Sequence, residues 1–156
     1  MTIVAYKNGV IAADSLVMNR GCKMGHVVKL AKNAAGDICG ASGDTSWCAA
    51  FLTWFCDGDD TSPMPTISYA DADATDSAII IRVGQPDIVH YVLSSPKYFP
   101  HTVTIAGPQG IAIGSGKAEA MGAMYAGGDA IKACEAAIVL DDGCGGPINW
   151  LRLGVH

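Results

Sequence analysis

The chain has 156 residues, of which 50% are hydrophobic and only 16% are charged, and its formal net charge is −5. This length suits one core, so residues 1–156 are expected to form a single domain, and the low content of charge favours a large subunit interface. The acidic balance and the singly scattered Lys and Arg residues exclude a basic stripe for nucleic acid, and every apolar run ends well short of the roughly 18 residues of a membrane span.

The order of the predicted elements indicates an α+β fold. Asn8-Gly9 lies between two β-branched runs, which is the strongest short hairpin signal in a sequence. Residues 15–26 lack periodicity and predict a loop, and the composition of 57–75 predicts an exposed connection. The predicted elements are, in chain order, strands at 3–6, 10–13, 27–31 and 38–42, a helix over 47–55, strands at 78–83, 88–92, 102–105 and 111–113, helices over 118–125 and 131–138, and a strand at 148–153.

Hairpins connect most of these strands, and strands do not alternate regularly with helices, so antiparallel sheet is expected. We expect two sheets packed face to face, with the aromatic helix outside one and the two Ala-rich helices outside the other. Asp44 or Thr45 is expected to cap the first helix, Ser115 the second and Asp129 the third. The second helix is expected to bury its face at Ala118, Met121 and Tyr125.

Several familiar chemical signatures are incomplete in this sequence. The glycine-rich string 110–117 differs from a phosphate-binding loop, because Ile111 stands at the first glycine position and Ala118 follows the lysine. Neither Ser42 nor Ser115 lies in a GxSxG elbow. The four histidines fall in no metal or triad signature, and the six cysteines form no CxxC pair. We therefore expect no cofactor and no metal.

The amino-terminal stretch does not have the pattern of a secretory signal. Lys7, Asn8 and Gly9 interrupt it before an apolar segment of the required length can form. A cytoplasmic location is therefore expected, with neither nucleic acid nor membrane as a partner.

Polar groups at the predicted strand ends carry the main chemical signal. If Met1 is removed, Thr2 has a hydroxyl and a free α-amine, which makes a nucleophile with its own base. Asp14 ends the second strand, and Lys29 lies within an apolar strand, where an unpaired ammonium would be costly to bury. Asp14 is a candidate partner for Lys29; the alternative is that Lys29 faces solvent on an edge strand.

Five short motifs occur in the order typical of proteasome-type β subunits, and together they span nearly the whole chain. The chain resembles that family and, in its brevity and its Ala-Ile-Gly-Ser-Gly string, the peptidase subunit of the bacterial HslVU protease. The resemblance implies an N-terminal-nucleophile hydrolase with a four-layer αββα sandwich. The motifs are Thr2-Ile-Val, Gly9-Val-Ile-Ala-Ala-Asp14, His26-Val-Val-Lys29-Leu, Gly40-Ala-Ser-Gly43-Asp-Thr45 and Ala112-Ile-Gly-Ser115-Gly116.

The resemblance also implies a role for each matching residue. Thr2 would attack the scissile carbonyl while its own α-amine takes the proton, and a reference pKa near 8 leaves such an amine partly neutral. The charge of Lys29 would favour the neutral amine and stabilise negative charge on the hydroxyl oxygen, with Asp14 holding Lys29. The amide of Gly43 would donate into the oxyanion hole.

Ser115 and Asp141 would support the α-amine through hydrogen bonds, or Asp142 in place of Asp141 if the loop is shifted by one residue. Cys144 stands where many members of the family have serine, and a thiol is a weaker hydrogen-bond partner. The substrate pocket implied by the resemblance is lined by small residues, namely Ala31, Ala41 and Thr45.

The function implied by the resemblance is that of a self-compartmentalising threonine peptidase. It would form one or more homo-oligomeric rings, cleave peptides or unfolded proteins, and depend on an ATP-dependent unfoldase for folded ones. Two alternatives remain: a catalytically silent ring protein that keeps Met1, and an amidase of the same chemistry that acts on a small amide.

Overall fold

The computed structural model describes residues 2–66, 76–94, 97–104 and 109–155. Over these residues, three helices and eleven strands in three antiparallel sheets make an α+β fold. The strands are β1 (Ile3–Lys7), β2 (Val10–Ala13), β3 (Leu16–Asn19), β4 (Cys22–His26), β5 (Leu30–Lys32), β6 (Ile38–Ser42), β7 (Ser77–Ile81), β8 (Asp87–Ser94), β9 (Lys97–Thr104), β10 (Ile111–Gly114) and β11 (Asn149–Arg152), and the helices are α1 (Thr45–Cys56), α2 (Lys117–Tyr125) and α3 (Ala130–Leu140).

Hairpins build all three sheets. The first sheet has the order β10-β1-β2-β11, and the turn between β1 and β2 is confirmed at Asn8 and Gly9, whose φ angles of 50° and 80° suit a two-residue hairpin loop. The second has the order β5-β6-β7-β8-β9, which confirms that hairpins connect the strands predicted on either side of 33–36 and of 84–87. The third contains β3 and β4.

Alternation along β1 decides which layer each side chain enters. Ile3 and Ala5 belong to a buried cluster with α2 and α3, whereas Val4 belongs to a cluster shared by the two larger sheets. This is the period-two pattern of a strand that is covered on both faces. A third cluster joins the other face of the second sheet to α1 and contains Cys39, Ala41, Trp47, Cys48, Phe51, Trp54, Phe55, Ala78 and Ile80.

Helix α1 follows directly from its sequence. Asp44 caps it by accepting a hydrogen bond from the Trp47 amide at 2.9 Å, which is typically worth about 1 kcal/mol. Trp47, Phe51 and Phe55 recur at helical spacing and are buried, and each buried side chain of this kind contributes about 1.5–3 kcal/mol. The predicted helix and its aromatic face are confirmed.

The loop predicted over 15–26 is wrong, because this stretch forms the hairpin of β3 and β4. Arg20 and Gly21 turn the chain with φ angles of 49° and 80°. Most of the hairpin is exposed, and its register shifts between Val17 and Met18. A strand pair without a continuous buried face leaves no period-two signal in the sequence.

Three further expectations differ from the structure. The strand expected from residue 27 starts only at Leu30. Ser115 does not cap α2; Gly116 is the N-cap and makes no side-chain cap bond. The buried face of α2 is made by Ala120 and Met124; of the expected residues, Met121 is half-buried against the same cluster, and Ala118 and Tyr125 are exposed.

One further expectation is confirmed, and two fall partly outside the described residues. Asp129 caps α3, as predicted. Of the connection expected over 57–75, residues 67–75 lie outside the described residues, and so does Ile105 of the strand expected over 102–105. Among the residues that the structure covers, no helix has the length and hydrophobicity of a membrane span.

Candidate active site

Thr2 lies immediately before β1, and its backbone is held from two sides. Its carbonyl oxygen accepts a hydrogen bond from the Gly116 amide at 3.3 Å, and Ile3 pairs with Gly114 across the sheet. Gly114 has a φ of +104°, and a Cβ at this position would overlap the Thr2 carbonyl oxygen. Glycine is therefore required where β10 passes Thr2. Thr2 is thereby held in place in the lining of a cavity, and only 3% of the residue is exposed.

The ammonium group of Lys29 joins Thr2 to Asp14. Its Nζ atom lies 2.9 Å from Thr2 Oγ1, 2.8 Å from Asp14 Oδ1 and 2.9 Å from the Leu16 carbonyl oxygen. An ammonium group has three protons to donate, so each has one acceptor. Lys29 is 6% exposed, which excludes the alternative that it faces solvent.

Asp14 is fully buried at the end of β2, and all its contacts are with donors. Oδ1 also accepts from the Ile3 amide at 3.1 Å, and Oδ2 accepts from the Gly145 amide at 3.0 Å. A buried carboxylate is tolerated when it is paired and hydrogen-bonded in this way. Asp14 therefore fixes the position of Lys29 below the Thr2 hydroxyl.

A second set of polar groups lies beside the Thr2 nitrogen. This nitrogen donates to Ser115 Oγ at 3.2 Å, and Ser115 Oγ lies 3.9 Å from Cys144 Sγ. The Cys144 thiol donates to Asp141 Oδ2 at 3.5 Å, and Asp141 Oδ1 accepts from the Gly143 amide at 2.8 Å. Ser115, which local pattern assigned to a helix cap and the resemblance placed beside the α-amine, contacts the nitrogen that would become that amine.

The ionisation states on this side of the site follow from these contacts. Hydrogen bonding from the Ser115 side chain, followed by that from the Gly143 amide, lowers the pKa of the Asp141 carboxyl. Burial, reinforced by the negative charge of Asp14, raises the pKa of the Cys144 thiol to about 12. Cys144 is therefore a neutral thiol near pH 7, able to donate to the Asp141 carboxylate. Asp142 is exposed, and it is Asp141 that carries these contacts.

A cavity of about 90 Å³ opens beside Thr2. Gly43, where β6 turns into α1, lines it together with Thr2 and Lys29. Ala41 and Thr45 line it as predicted, whereas Ala31 packs against the aromatic cluster of α1. The remaining lining is mostly apolar and was not foreseen; it comprises Leu16, Val17, Met18, Val27, Val28, Cys48 and Ala49.

The structure thus brings together the six residues predicted from the sequence: Thr2 and five others that contact it, support its contacts or line the same cavity. The distances show that these residues lie together, whereas their catalytic roles stay a prediction. The sequence did not predict the backbone partners, the Leu16 carbonyl and the Gly145 amide, because a backbone group has no residue signature. The six residues are Thr2, Asp14, Lys29, Gly43, Ser115 and Asp141.

Within 2–66, 76–94, 97–104 and 109–155, no group of three or more His, Cys, Asp or Glu side chains could hold a metal ion. The chain matches no protein-family model, and a search of curated proteins gives no significant match. Any functional assignment therefore depends on the geometry around Thr2.

Proposed function

We propose that this chain is a threonine endopeptidase of the N-terminal-nucleophile hydrolase class, with Thr2 as the nucleophile once Met1 is removed. The observation that carries the proposal is the buried hydrogen bond from Lys29 Nζ to Thr2 Oγ1 at 2.9 Å. It holds the positive charge of the lysine beside the oxygen that would attack. The contact between the Thr2 nitrogen and Ser115 supports it from the other side.

In the proposed reaction, Thr2 Oγ1 forms a bond to the scissile carbonyl carbon while the hydroxyl proton passes to the Thr2 α-amine. Lys29 stabilises the oxygen as it loses that proton, and the Gly43 amide stabilises the carbonyl oxygen as it becomes an oxyanion. The Thr2 α-ammonium formed in this way then donates its extra proton to the leaving amine as the peptide C–N bond breaks. Water cleaves the resulting ester and restores the threonine.

The layering of the molecule is consistent with this class. We propose a four-layer αββα sandwich of the proteasome β-subunit and HslV type, in which α2 and α3 cover the first sheet and α1 covers the second. The three separate clusters of buried side chains support this arrangement, because two helix layers and two sheet layers need three interfaces.

The proposed working form is a homo-oligomeric ring, or stacked rings, with Thr2 facing an inner chamber in the cytoplasm. Its substrates would be peptides or unfolded proteins, with an ATP-dependent unfoldase as a partner for folded ones. The low charge content supports burial of subunit surface, as do large apolar side chains that the isolated chain exposes. These include Tyr125, Val139, Leu140 and Trp150.

The test combines intact mass with labelling by a threonine-directed electrophile. We expect the protein made in cells to have lost one methionine and to take up one probe per subunit, with hydrolysis of a fluorogenic peptide blocked by the probe. Thr2→Ala should end labelling and lower kcat by about 10⁴-fold or more, because it removes the attacking atom. Thr53→Ala, at an exposed position on α1, is the matched control and should behave as the unchanged chain.

The other outcomes assign the two alternatives. A chain that keeps Met1 and resists the probe would be a silent ring protein and would contradict the proposal. Labelling of Thr2 together with cleavage of small amides but of no peptide would indicate the amidase. Hydrolysis that survives Thr2→Ala would exclude Thr2 as the nucleophile.

A further inference from the structure

Asp76 lies against the turn that connects β6 to α1. Ser42 and Ser77 are register partners in the β6-β7 ladder, so Asp76, one residue before β7, faces Gly43, one residue after β6. Asp76 Oδ1 accepts a hydrogen bond from the Asp44 amide at 2.6 Å. Gly43 has a φ of +127°, and a Cβ on it would overlap the Asp76 carboxylate and lie 2.8 Å from Asp76 Cα. The two residues are therefore in close backbone contact.

This hydrogen bond completes the cap of α1 in an uncommon way. In a capping box, the third helical residue returns a Glu or Gln side chain to the amide of the N-cap residue. Here the third residue is Trp47, which has no acceptor, so the carboxylate that reaches the Asp44 amide comes from another strand. Asp44 already caps the helix by itself, so what this bond adds is a tie between the Gly43 turn and the start of β7.

The arrangement has a cost that a purely structural contact would not require. Asp76 is 3% exposed, and a buried carboxylate beside another carboxylate is unfavourable. Burial raises the pKa of Asp76, the Asp44 amide opposes this shift, and the charge of Asp44 adds to it. An apolar residue could fill the space without this cost. It could not hold the Asp44 amide.

We infer that Asp76 is a positioning residue for the proposed reaction: its carboxylate fixes the backbone from Ser42 to Asp44 so that the Gly43 amide aims at the reacting carbonyl. The inference rests on the proposed function of Thr2. The lining of the cavity includes Gly43 and not Asp76, so Asp76 acts through the turn and not by touching substrate. Its removal should therefore change kcat more than KM.

The test uses three variants of the full chain in steady-state peptide hydrolysis. Asp76→Ala removes the acceptor and should lower kcat by about 10- to 100-fold with KM within about threefold, since small displacements of an oxyanion donor have effects of this size. Asp76→Asn keeps an acceptor of the same length and should restore kcat to within about threefold. Asp76→Glu keeps the charge but adds a methylene against Gly43, and should lose activity as the alanine variant does.

Asp37 supplies the matched control. It precedes β6 as Asp76 precedes β7, it is buried, and it accepts from the Val83 amide at 2.8 Å, but it lies at the other end of the sheet from Gly43. Asp37→Ala should lower the melting temperature and leave kcat within about twofold of the unchanged chain, because the contacts that it removes, to the Val83 amide, Arg82 and Asn33, lie at the other end of β6 from the turn.

A second readout does not need activity. Amide hydrogen exchange over 42–45 should be about tenfold faster or more in Asp76→Ala and near the original rate in Asp76→Asn.

The outcomes separate the two proposals. If the unchanged chain neither binds the threonine probe nor hydrolyses peptide, the proposed function has failed. If the unchanged chain is active and Asp76→Ala keeps its kcat, or Asp37→Ala loses as much kcat as Asp76→Ala, only the inference about Asp76 is overturned. If Asp76→Ala does not fold, the comparison of Asp76→Asn with Asp76→Glu decides: equal kcat in both, or a higher kcat in Asp76→Glu, would contradict the positioning role.

Discussion

Two lysines of this chain are buried to nearly the same degree and have different kinds of partner. Lys7 is 8% exposed and Lys29 is 6% exposed. Lys7 Nζ donates to the carbonyl oxygens of Met124 and Gly128, each at 2.8 Å, at the end of α2. The Met124 carbonyl also accepts from the Gly127 amide at 3.1 Å, so the cation adds a second donor there and lies near the negative end of the α2 dipole.

Lys29 has instead a carboxylate and a hydroxyl among its partners. The carboxylate of Asp14 compensates its charge, and the hydroxyl of Thr2 is a group whose proton can leave. Burial alone therefore does not distinguish a lysine with a structural role from one with the catalytic role proposed for Lys29. The difference lies in whether one acceptor can change its charge, and variants at both positions can test this.

The largest effect is expected from Lys29→Met. The substitution leaves Asp14 charged and buried without its counter-ion, which typically destabilises a protein by about 3–5 kcal/mol. It should also lower the rate of probe labelling at Thr2 by about 10²- to 10³-fold, because the oxygen loses its stabilising charge. Chemical denaturation and the time course of labelling measure the two effects.

The double variant Asp14→Asn with Lys29→Met separates stability from chemistry. It removes both charges, so part of the lost free energy of unfolding should return, while labelling should stay slow. A double variant that labels as fast as the unchanged chain would show that Lys29 supports the fold and not the nucleophile.

A smaller effect is expected from Lys7→Met. It removes the lysine donor from the Gly128 carbonyl and from the Met124 carbonyl, which keeps its hydrogen bond from the Gly127 amide. A loss of this kind usually destabilises by about 1–3 kcal/mol. Labelling at Thr2 should be unchanged in rate, measured at a temperature where the variant is fully folded. A Lys7→Met variant that folds and yet labels slowly would contradict the division between the two lysines.

The smallest effect is expected for Asp141→Asn, as a dependence of its melting temperature on pH. Because the pKa of Asp141 is lowered in the folded protein, its contribution to stability is present above the pKa of an unfolded aspartate, about 3.9, and is lost as pH falls through the lower folded value. The difference in melting temperature between the unchanged chain and Asp141→Asn should therefore shrink as the pH falls below about 4.

The Lys7→Met difference should stay constant over the same range, because the partners of Lys7 are neutral carbonyls. A Lys7→Met difference that follows pH as the Asp141→Asn difference does would show that the two regions are coupled.

The sequence predicted best where local chemistry and tertiary packing agree. The hairpin at Asn8-Gly9, the aromatic face of α1 and the cap at Asp129 each have a local cause, so each was confirmed. Lys29 also belongs here, since an ammonium within an apolar strand needs an anionic partner, and the candidate Asp14 is that partner.

The failures share a different cause. Nothing local marks β3 and β4 as strands, because they pair mainly with each other and are largely exposed. Ser115 has the pattern of a helix cap, and only the pairing of β1 with β10 brings its hydroxyl to the Thr2 nitrogen instead. Asp76 was not predicted, because only the register of β6 with β7 brings it next to Gly43.

The two sides of the cavity differ in how strongly packing constrains their side chains, because one side is formed by the hairpin of β3 and β4. Ala41 and Gly43 belong to the β6 side, where the buried clusters and Asp76 constrain each position. Val17 and Met18 belong to a two-stranded sheet that is partly exposed and already irregular between these residues. Substitutions on that side could reshape the cavity without disturbing the packed core. Under the proposed function, substrate selectivity would therefore diverge among variants of this scaffold while Thr2, Lys29 and Asp14 stay unchanged.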